Sequence, residues 1–398
     1  MDICQIIEEV GTPCYIYDAD FIRARHKDLC EALPQGKTRL FYAMKALSNL
    51  KILKVMRDLG TGVDTVSLFE IQMALQAGFE PNQIIFTPNL VDFSELEKAV
   101  EIGVGINIEN LSNLEKFGIR YGASVPCCIR FNPHIALEND KESSMGWYEQ
   151  SKFGIPYAQF NKILEIVSNY EIKVEGLHIH SSHVIMRDDI LQKSAELMLE
   201  AAKKLPELEF LDFGGGLNPK QRKIEATNIS KVGQQLGQLL LEFEQETNRV
   251  IHLRFEPGRY LVSEAGTLYV RVKVLKQNKE VTFAGVDSGF NHLIRPMLYG
   301  SSHEIENVSN PDGAYQEYNI VGNLCEADDF AKQYRISELR EGDILAIKDT
   351  GAYGFSMSSQ YNARPRPPEI LINDGPPLLI RKREAYADLT RNQVEIRI

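Results

Sequence analysis

Gly62-Val-Asp-Thr-Val-Ser67, followed directly by Leu68-Phe-Glu-Ile-Gln-Met-Ala-Leu-Gln-Ala77, is the stretch that decides the fold class. Its first part is β-rich, with Val63 and Val66 as its apolar residues and Asp64 as its one charge. Its second part spaces apolar residues at helical period and closes at Ala77-Gly78-Phe79. A strand that feeds a helix within a few residues is a β-α unit, and repeated units stack their strands in parallel. Working outward, the same alternation recurs. Short apolar runs lie at 39–44, 62–66, 83–87, 104–108, 127–131, 172–179, 209–213 and 250–255, with helix-period segments such as 93–101 between several of them. Eight alternations is the count that an α/β (β/α)8 TIM-like barrel requires. A doubly wound open sheet is the rival, but polar motifs stand at the ends of many different strands, as they do at a barrel's C-terminal rim.

After about Tyr260 the helical period fades. Short alternating runs take over at 268–275, 318–321 and 343–347, which predicts a second domain of antiparallel β structure, a barrel or sandwich. Cys14-Tyr-Ile-Tyr17 reads as one more strand for it. The expected organisation is therefore an N-terminal segment 1–25 pairing with the C-terminal domain, a barrel over 26–260 and the β domain over 261–398.

Composition narrows the function classes. The 398 residues are 43% hydrophobic and 25% charged, with 44 basic against 55 acidic residues and a formal charge of −11. That balance argues against nucleic acid as a partner. No apolar run reaches membrane-spanning length, and Met1-Asp2-Ile3-Cys4-Gln5 lacks the basic and apolar regions of a secretory signal, so a cytoplasmic protein is expected. The six cysteines form no CxxC pair, which removes metal-ribbon and thioredoxin-like readings.

Several motifs carry chemistry. Tyr42-Ala-Met-Lys45-Ala46 sets a lysine just beyond the first barrel strand, either a solvated loop residue or an amine placed for covalent catalysis. Phe213-Gly214-Gly215-Gly216-Leu217 follows the seventh run and Phe255-Glu256-Pro257-Gly258-Arg259 the eighth. In a barrel these two loops are neighbours, and exposed backbone N–H groups beside an arginine suit an anion. Gly176-Leu-His178-Ile-His180-Ser181-Ser182-His183 crowds three histidines. His178 and His180 share one strand face, but no third ligand stands at motif spacing, so no metal is expected. In the second domain Cys325-Glu326-Ala327-Asp328-Asp329 sets a thiol among carboxylates, a polar setting in which it can donate a proton. Arg295-Pro-Met-Leu-Tyr299 and Gly351-Ala-Tyr353-Gly354 add groups suited to an amino-acid ligand.

Together with Ser151-Lys-Phe-Gly154 and Tyr361-Asn-Ala-Arg364-Pro-Arg366, these segments occur in an order and spacing that resembles the fold type III pyridoxal-phosphate decarboxylases, most closely the diaminopimelate decarboxylases. The resemblance runs from about Thr12 to Leu371. It implies pyridoxal 5'-phosphate as cofactor, Lys45 as its covalent holder and Glu256 as partner of its ring nitrogen. It further implies that His180 stacks on the ring, while Asp64, Gly214, Gly215, Gly216, Gly258, Arg259 and Tyr353 line the cofactor. Cys325 matches the proton donor that acts from the partner subunit of a homodimer. Arg259, Arg295, Tyr299, Glu326 and Tyr353 match the substrate-binding residues. The implied reaction is decarboxylation of meso-diaminopimelate to L-lysine in lysine biosynthesis.

The chain departs from the family pattern after His180, where a glycine and a phosphate-touching serine are usual and Ser181-Ser182-His183 stand instead. Ala46-Leu47 replaces the usual Ala-Asn, and Ala327 replaces a serine. Two other readings stay open on these grounds: a decarboxylase of another amino acid in specialised metabolism, and a non-catalytic regulatory relative. Retention of Lys45 and Cys325 speaks against the second.

Overall fold

A computed structural model describes residues 3–133, 151–180, 188–219 and 226–394. The chain divides into two compact units, one made of His26–Asn218 with Ala226–Gly258, the other chiefly of the first 25 residues and everything from Arg259 onward.

Strand β1 (Cys14–Asp18) belongs to the second unit. The first unit is a closed barrel of eight parallel strands: β2 (Thr38–Ala43), β3 (Gly62–Thr65), β4 (Ile84–Phe86), β5 (Gly105–Ile108), β6 (Cys127–Asn132), β8 (Val174–His178), β9 (Phe210–Asp212) and β10 (His252–Phe255). Pairing of β5 with β6 and of β10 with β2 closes the ring, and the two-residue β7 (Ile155–Pro156) adds to the end of β6. All eight apolar runs in the sequence are these strands. They are buried on both faces, β3 and β6 over their whole length, which is why their sequences are near-continuous apolar runs rather than alternating ones. Gly176 in β8 is required by packing, since a Cβ there would stand 2.1 Å from the Phe210 ring of β9.

The helix after β3 shows how local sequence sets an element's limits. Ser67 Oγ accepts from the Glu70 N–H at 3.2 Å, and the Glu70 carboxylate accepts from the Val66 N–H at 2.7 Å. These bonds satisfy donors that the first turn leaves unpaired. At the far end Gly78 adopts φ +90°, a left-handed cap that glycine takes without steric cost.

The second unit is a nine-stranded mixed sheet built on β11 (Gly266–Asn278), β12 (Val281–Val286), β13 (Ile305–Asn307), β14 (Tyr315–Val321), β15 (Asp329–Ser337), β16 (Ile344–Ile347), β17 (Glu369–Ile372) and β18 (Leu378–Arg381), with β1 between β11 and β17. Most pairings are antiparallel, as expected, but β1–β17 and β12–β14 are parallel. Residues 287–314 between β12 and β14 give the chain length enough to return and run the same way, which a short hairpin forbids. A helix that the sequence did not announce, Ile3–Val10, buries Ile6 and Ile7 against Cys14, Ile16, Tyr269, Ile344 and Ile370. Among the described residues no helix is long and apolar enough to cross a membrane.

Candidate active site

The C-terminal ends of the barrel strands bring the polar residues together. Lys45 sits in the single turn Met44–Ala46 directly after β2, and its Nζ lies 3.1 Å from Asp64 Oδ2 at the end of β3. Asp64 is fully buried while Lys45 keeps about a third of its side chain exposed (37%), so the amine faces the barrel mouth. Burial and the nearby Glu256 push the Asp64 carboxyl up, and Lys45 pulls it back down. The turn after β10 closes against that of Lys45. Pro257 O accepts from the Ala43 N–H at 3.2 Å, and a Cβ on Gly258 would stand 3.1 Å from that of Ala46.

Arg130 on β6, His178 on β8 and Asp212 on β9 stand in consecutive register across the barrel, and all three are buried. His178 Nε2 lies 3.5 Å from Glu256 Oε2. Burial first, then the positive charge of Arg130, hold His178 well below the ordinary histidine range, so it is neutral. Burial raises Glu256 and Asp212, with Glu256 adding to the rise of Asp212; Lys45 and Arg130 oppose the rise of Glu256. Asp64 Oδ1, Glu256 Oε1 and both His178 nitrogens have no hydrogen-bond partner among the described residues. Buried polar atoms left open at a barrel mouth are what a bound polar group would satisfy.

The glycine loop after β9 is built onto His180. Asp212 Oδ1 accepts from the Gly214 N–H at 2.8 Å, and His180 Nδ1 accepts from the Gly215 N–H at 2.9 Å. Gly214 and Gly216 take φ of +63° and +103°, and a Cβ on Gly214 would fall 2.5 Å from His180 Nδ1. Burial, Arg130, Lys45 and His178 all hold His180 well below the ordinary range. Glu256 supplies the third group near His178 and His180 that motif spacing could not show, and the candidate ligand atoms of the three lie within 4.8 Å of one another. The positive charge of Arg130 and Lys45 at the same place opposes a metal cation there. Ser181, Ser182 and His183 lie outside the described residues.

In the second unit Arg259, Arg295, Tyr299 and Tyr353 are gathered. The Tyr353 ring has the Arg259 guanidinium at 6.0 Å and that of Arg295 at 5.7 Å, and Arg295 also lies 5.5 Å from the Tyr299 ring. Burial and the charge of Arg259 lower Arg295 from the ordinary arginine value. Tyr353 is held at φ +58°, a conformation that costs a tyrosine energy. Cys325 and Glu326 are exposed. Glu326 Oε1 accepts from the Tyr361 hydroxyl at 3.0 Å, and Asn362 Oδ1 from the Cys325 N–H at 3.0 Å.

A family model described as the pyridoxal binding domain of pyridoxal-dependent decarboxylases matches residues 19–263. The diaminopimelate decarboxylase of Methanothermobacter thermautotrophicus is 35% identical, covering 98% of this chain and 94% of that protein. That of Campylobacter jejuni is 34% identical over 98% and 97%. The chain belongs to the diaminopimelate decarboxylase family. Among solved structures, the Helicobacter pylori diaminopimelate decarboxylase complexed with L-lysine superposes with a TM-score of 0.87 at 31% identity, over 98% of both chains. The expected fold, cofactor and enzyme class agree with these comparisons.

As a diaminopimelate decarboxylase family member the chain uses pyridoxal phosphate, and the barrel mouth suits that group: a half-buried amine, a buried carboxylate with an open oxygen, and a glycine loop. Two buried groups at this mouth had not been singled out from the sequence, Arg130 and Asp212. Each is one charge inside an apolar run, Cys127-Cys-Ile-Arg130-Phe131 and Phe210-Leu-Asp212-Phe213. A charge in a strand buried on both faces is the signal that could have found them.

Proposed function

We propose that this chain removes CO2 from meso-diaminopimelate to give L-lysine. The observation that carries the reading is the Lys45–Asp64 pair set beside the open oxygen of Glu256 in a family member. Lys45 holds the cofactor covalently through its amine. Glu256, with an oxygen left open, would hold the protonated ring nitrogen, and His180 would lie against the ring. Gly214, Gly215, Gly216, Gly258, Arg259 and Tyr353 serve the phosphate end. When bound, pyridoxal phosphate supplies the electron-withdrawing ring that takes the bond pair left when CO2 departs. Cys325 of the partner subunit gives a proton to the substrate carbon in place of the lost carboxylate, so the working form is a homodimer in the cytoplasm. The exposure of Cys325 supports this assignment. Arg259, Arg295, Tyr299 and Tyr353, with Glu326, hold the end of the substrate remote from the reacting carbon.

The test is CO2 release from meso-diaminopimelate, lysine and ornithine by purified protein loaded with cofactor. Lysine and ornithine lack the distal carboxylate that two arginines would meet, and each unpaired charge costs about 2–5 kcal/mol. Release from diaminopimelate at least 30-fold more efficient than from the others, by kcat/KM, supports the reading. Equal or better turnover of lysine or ornithine replaces it with a decarboxylase of another amino acid.

A further inference from the structure

The bond between the Gly215 N–H and His180 Nδ1 has a chemical requirement. A nitrogen that accepts a hydrogen bond carries no proton, so Nδ1 is bare and the ring proton of the neutral imidazole is on Nε2. The loop is fitted to that ring. A Cβ on Gly214 would lie 2.5 Å from Nδ1 and 2.9 Å from the His180 Cβ, and one on Gly215 would lie 3.2 Å from Cε1. The loop is held from its other side as well, by Asp212 Oδ1 on the Gly214 N–H and by the Glu256 N–H, which donates to Gly214 O at 2.7 Å.

We propose that His180 is a positioning residue for the Gly214–Gly216 loop. As the Nε2–H tautomer it fixes Gly215 through Nδ1, and Arg130 secures the neutral form. The role differs from covering a ring face, and it operates in the cofactor-free protein. It rests on the reading above only in taking this loop as the phosphate end of the site. Protonating Nδ1 would turn an acceptor into a donor aimed at another donor, releasing the loop. Burial, Arg130 from β6 and Lys45 after β2 oppose that change, against the Glu256 carboxylate, an oxygen of which lies within 4.8 Å of a His180 ring nitrogen. Both cations would be repelled by an imidazolium and compete with it for the same carboxylates.

Side-chain geometry separates this role from stacking. Asparagine places an amide oxygen near the position of histidine Nδ1, whereas glutamine places its polar atoms near Nε2. Neither has a ring. In His180→Asn the Gly215 N–H keeps an acceptor and in His180→Gln it loses one, so pyridoxal phosphate should bind the Asn variant roughly 5- to 10-fold tighter, about one net hydrogen bond. Equilibrium dialysis of both variants against the cofactor at neutral pH reads this directly, with inorganic phosphate as a second probe of the loop alone. Nitrogen-15 NMR of histidine-labelled, cofactor-free wild-type protein should show His180 as the Nε2–H tautomer between pH 6 and 8, with a rising imidazolium fraction in Arg130→Met. Equal affinities in the Asn and Gln variants, or a proton on Nδ1, would overturn the proposal. If either variant fails to fold, the wild-type tautomer still decides it. Wild-type protein that shows the Nε2–H tautomer but takes up no pyridoxal phosphate would remove the cofactor reading and leave the positioning role intact.

Discussion

At the residue scale the barrel mouth is an exercise in charge balance. Asp64 is fully buried, and Lys45 is the cation that hydrogen-bonds it. Removing the amine leaves a buried carboxylate to be protonated or to destabilise the fold, at about 1–3 kcal/mol for a buried polar group left unsatisfied. Lys45→Ala should therefore lose both the visible absorbance of bound cofactor and measurable stability in urea. Adding Asp64→Asn should return most of the stability while restoring none of the absorbance. Additive losses in the two variants would mean that the pair is not coupled. The residues legible in advance, Lys45, the three glycines and Glu256, were those at run ends, where a polar residue interrupts a pattern. Arg130 and Asp212 lie inside runs and acquire meaning only from the neighbours that the barrel gives them.

At the scale of elements, local chemistry sets the boundaries and packing sets the rest. Helix Leu68–Ala77 begins and ends where its caps stand. Ser67→Ala removes an acceptor from the Glu70 N–H and should cost about 1 kcal/mol in denaturant unfolding, with cofactor affinity unchanged. A loss of cofactor binding from that substitution would tie the helix start to the site itself. Gly233, in the helix Ile229–Thr247, makes a different case. A Cβ there would lie 1.9 Å from the carbonyl oxygen of Ala32 at the end of the helix Ala19–Ala32. Gly233→Ala should destabilise the barrel unit by about 1–3 kcal/mol, the usual result of overpacking against backbone that cannot yield. A midpoint equal to wild type would show that the two helices can separate freely.

On the scale of the whole molecule, two measurements bear on assembly and on stability. Lys45→Ala and Cys325→Ala proteins, each nearly inactive, should recover part of the activity when mixed, because a hybrid dimer contains one intact pairing. No recovery despite demonstrated subunit exchange would place both groups of a working site in one chain. The second measurement uses His303. Its Nδ1–H donates to Lys348 O at 2.8 Å, and burial lowers its pKa from 6.5 to about 4. The folded state thus favours the neutral ring. That contribution is complete above pH 6.5 and is lost as the pH falls toward 4, when the unfolded chain binds a proton that the folded one does not, a difference of about 3 kcal/mol. His303→Asn keeps a donor for Lys348 O and should flatten the stability profile across that window; an unchanged profile would assign the acid sensitivity to other groups, His292 among them.

The eight apolar runs and their helical spacers were enough to determine a parallel barrel, because a strand buried on both faces must be apolar throughout and a β-α unit must return its strand in parallel. The ordered motifs were enough to determine the family and its cofactor. Tertiary structure alone decided which charges meet. Arg130, His178 and Asp212 come from strands far apart in sequence, and register makes them neighbours. Tertiary structure also fixed the parallel pairings of β1 with β17 and β12 with β14, the burial of helix Ile3–Val10, and the tautomer of His180. Alternation and spacing record which face of an element is buried. They carry no information about what another element sets against it, and a buried polar group depends on that partner for its charge and its proton.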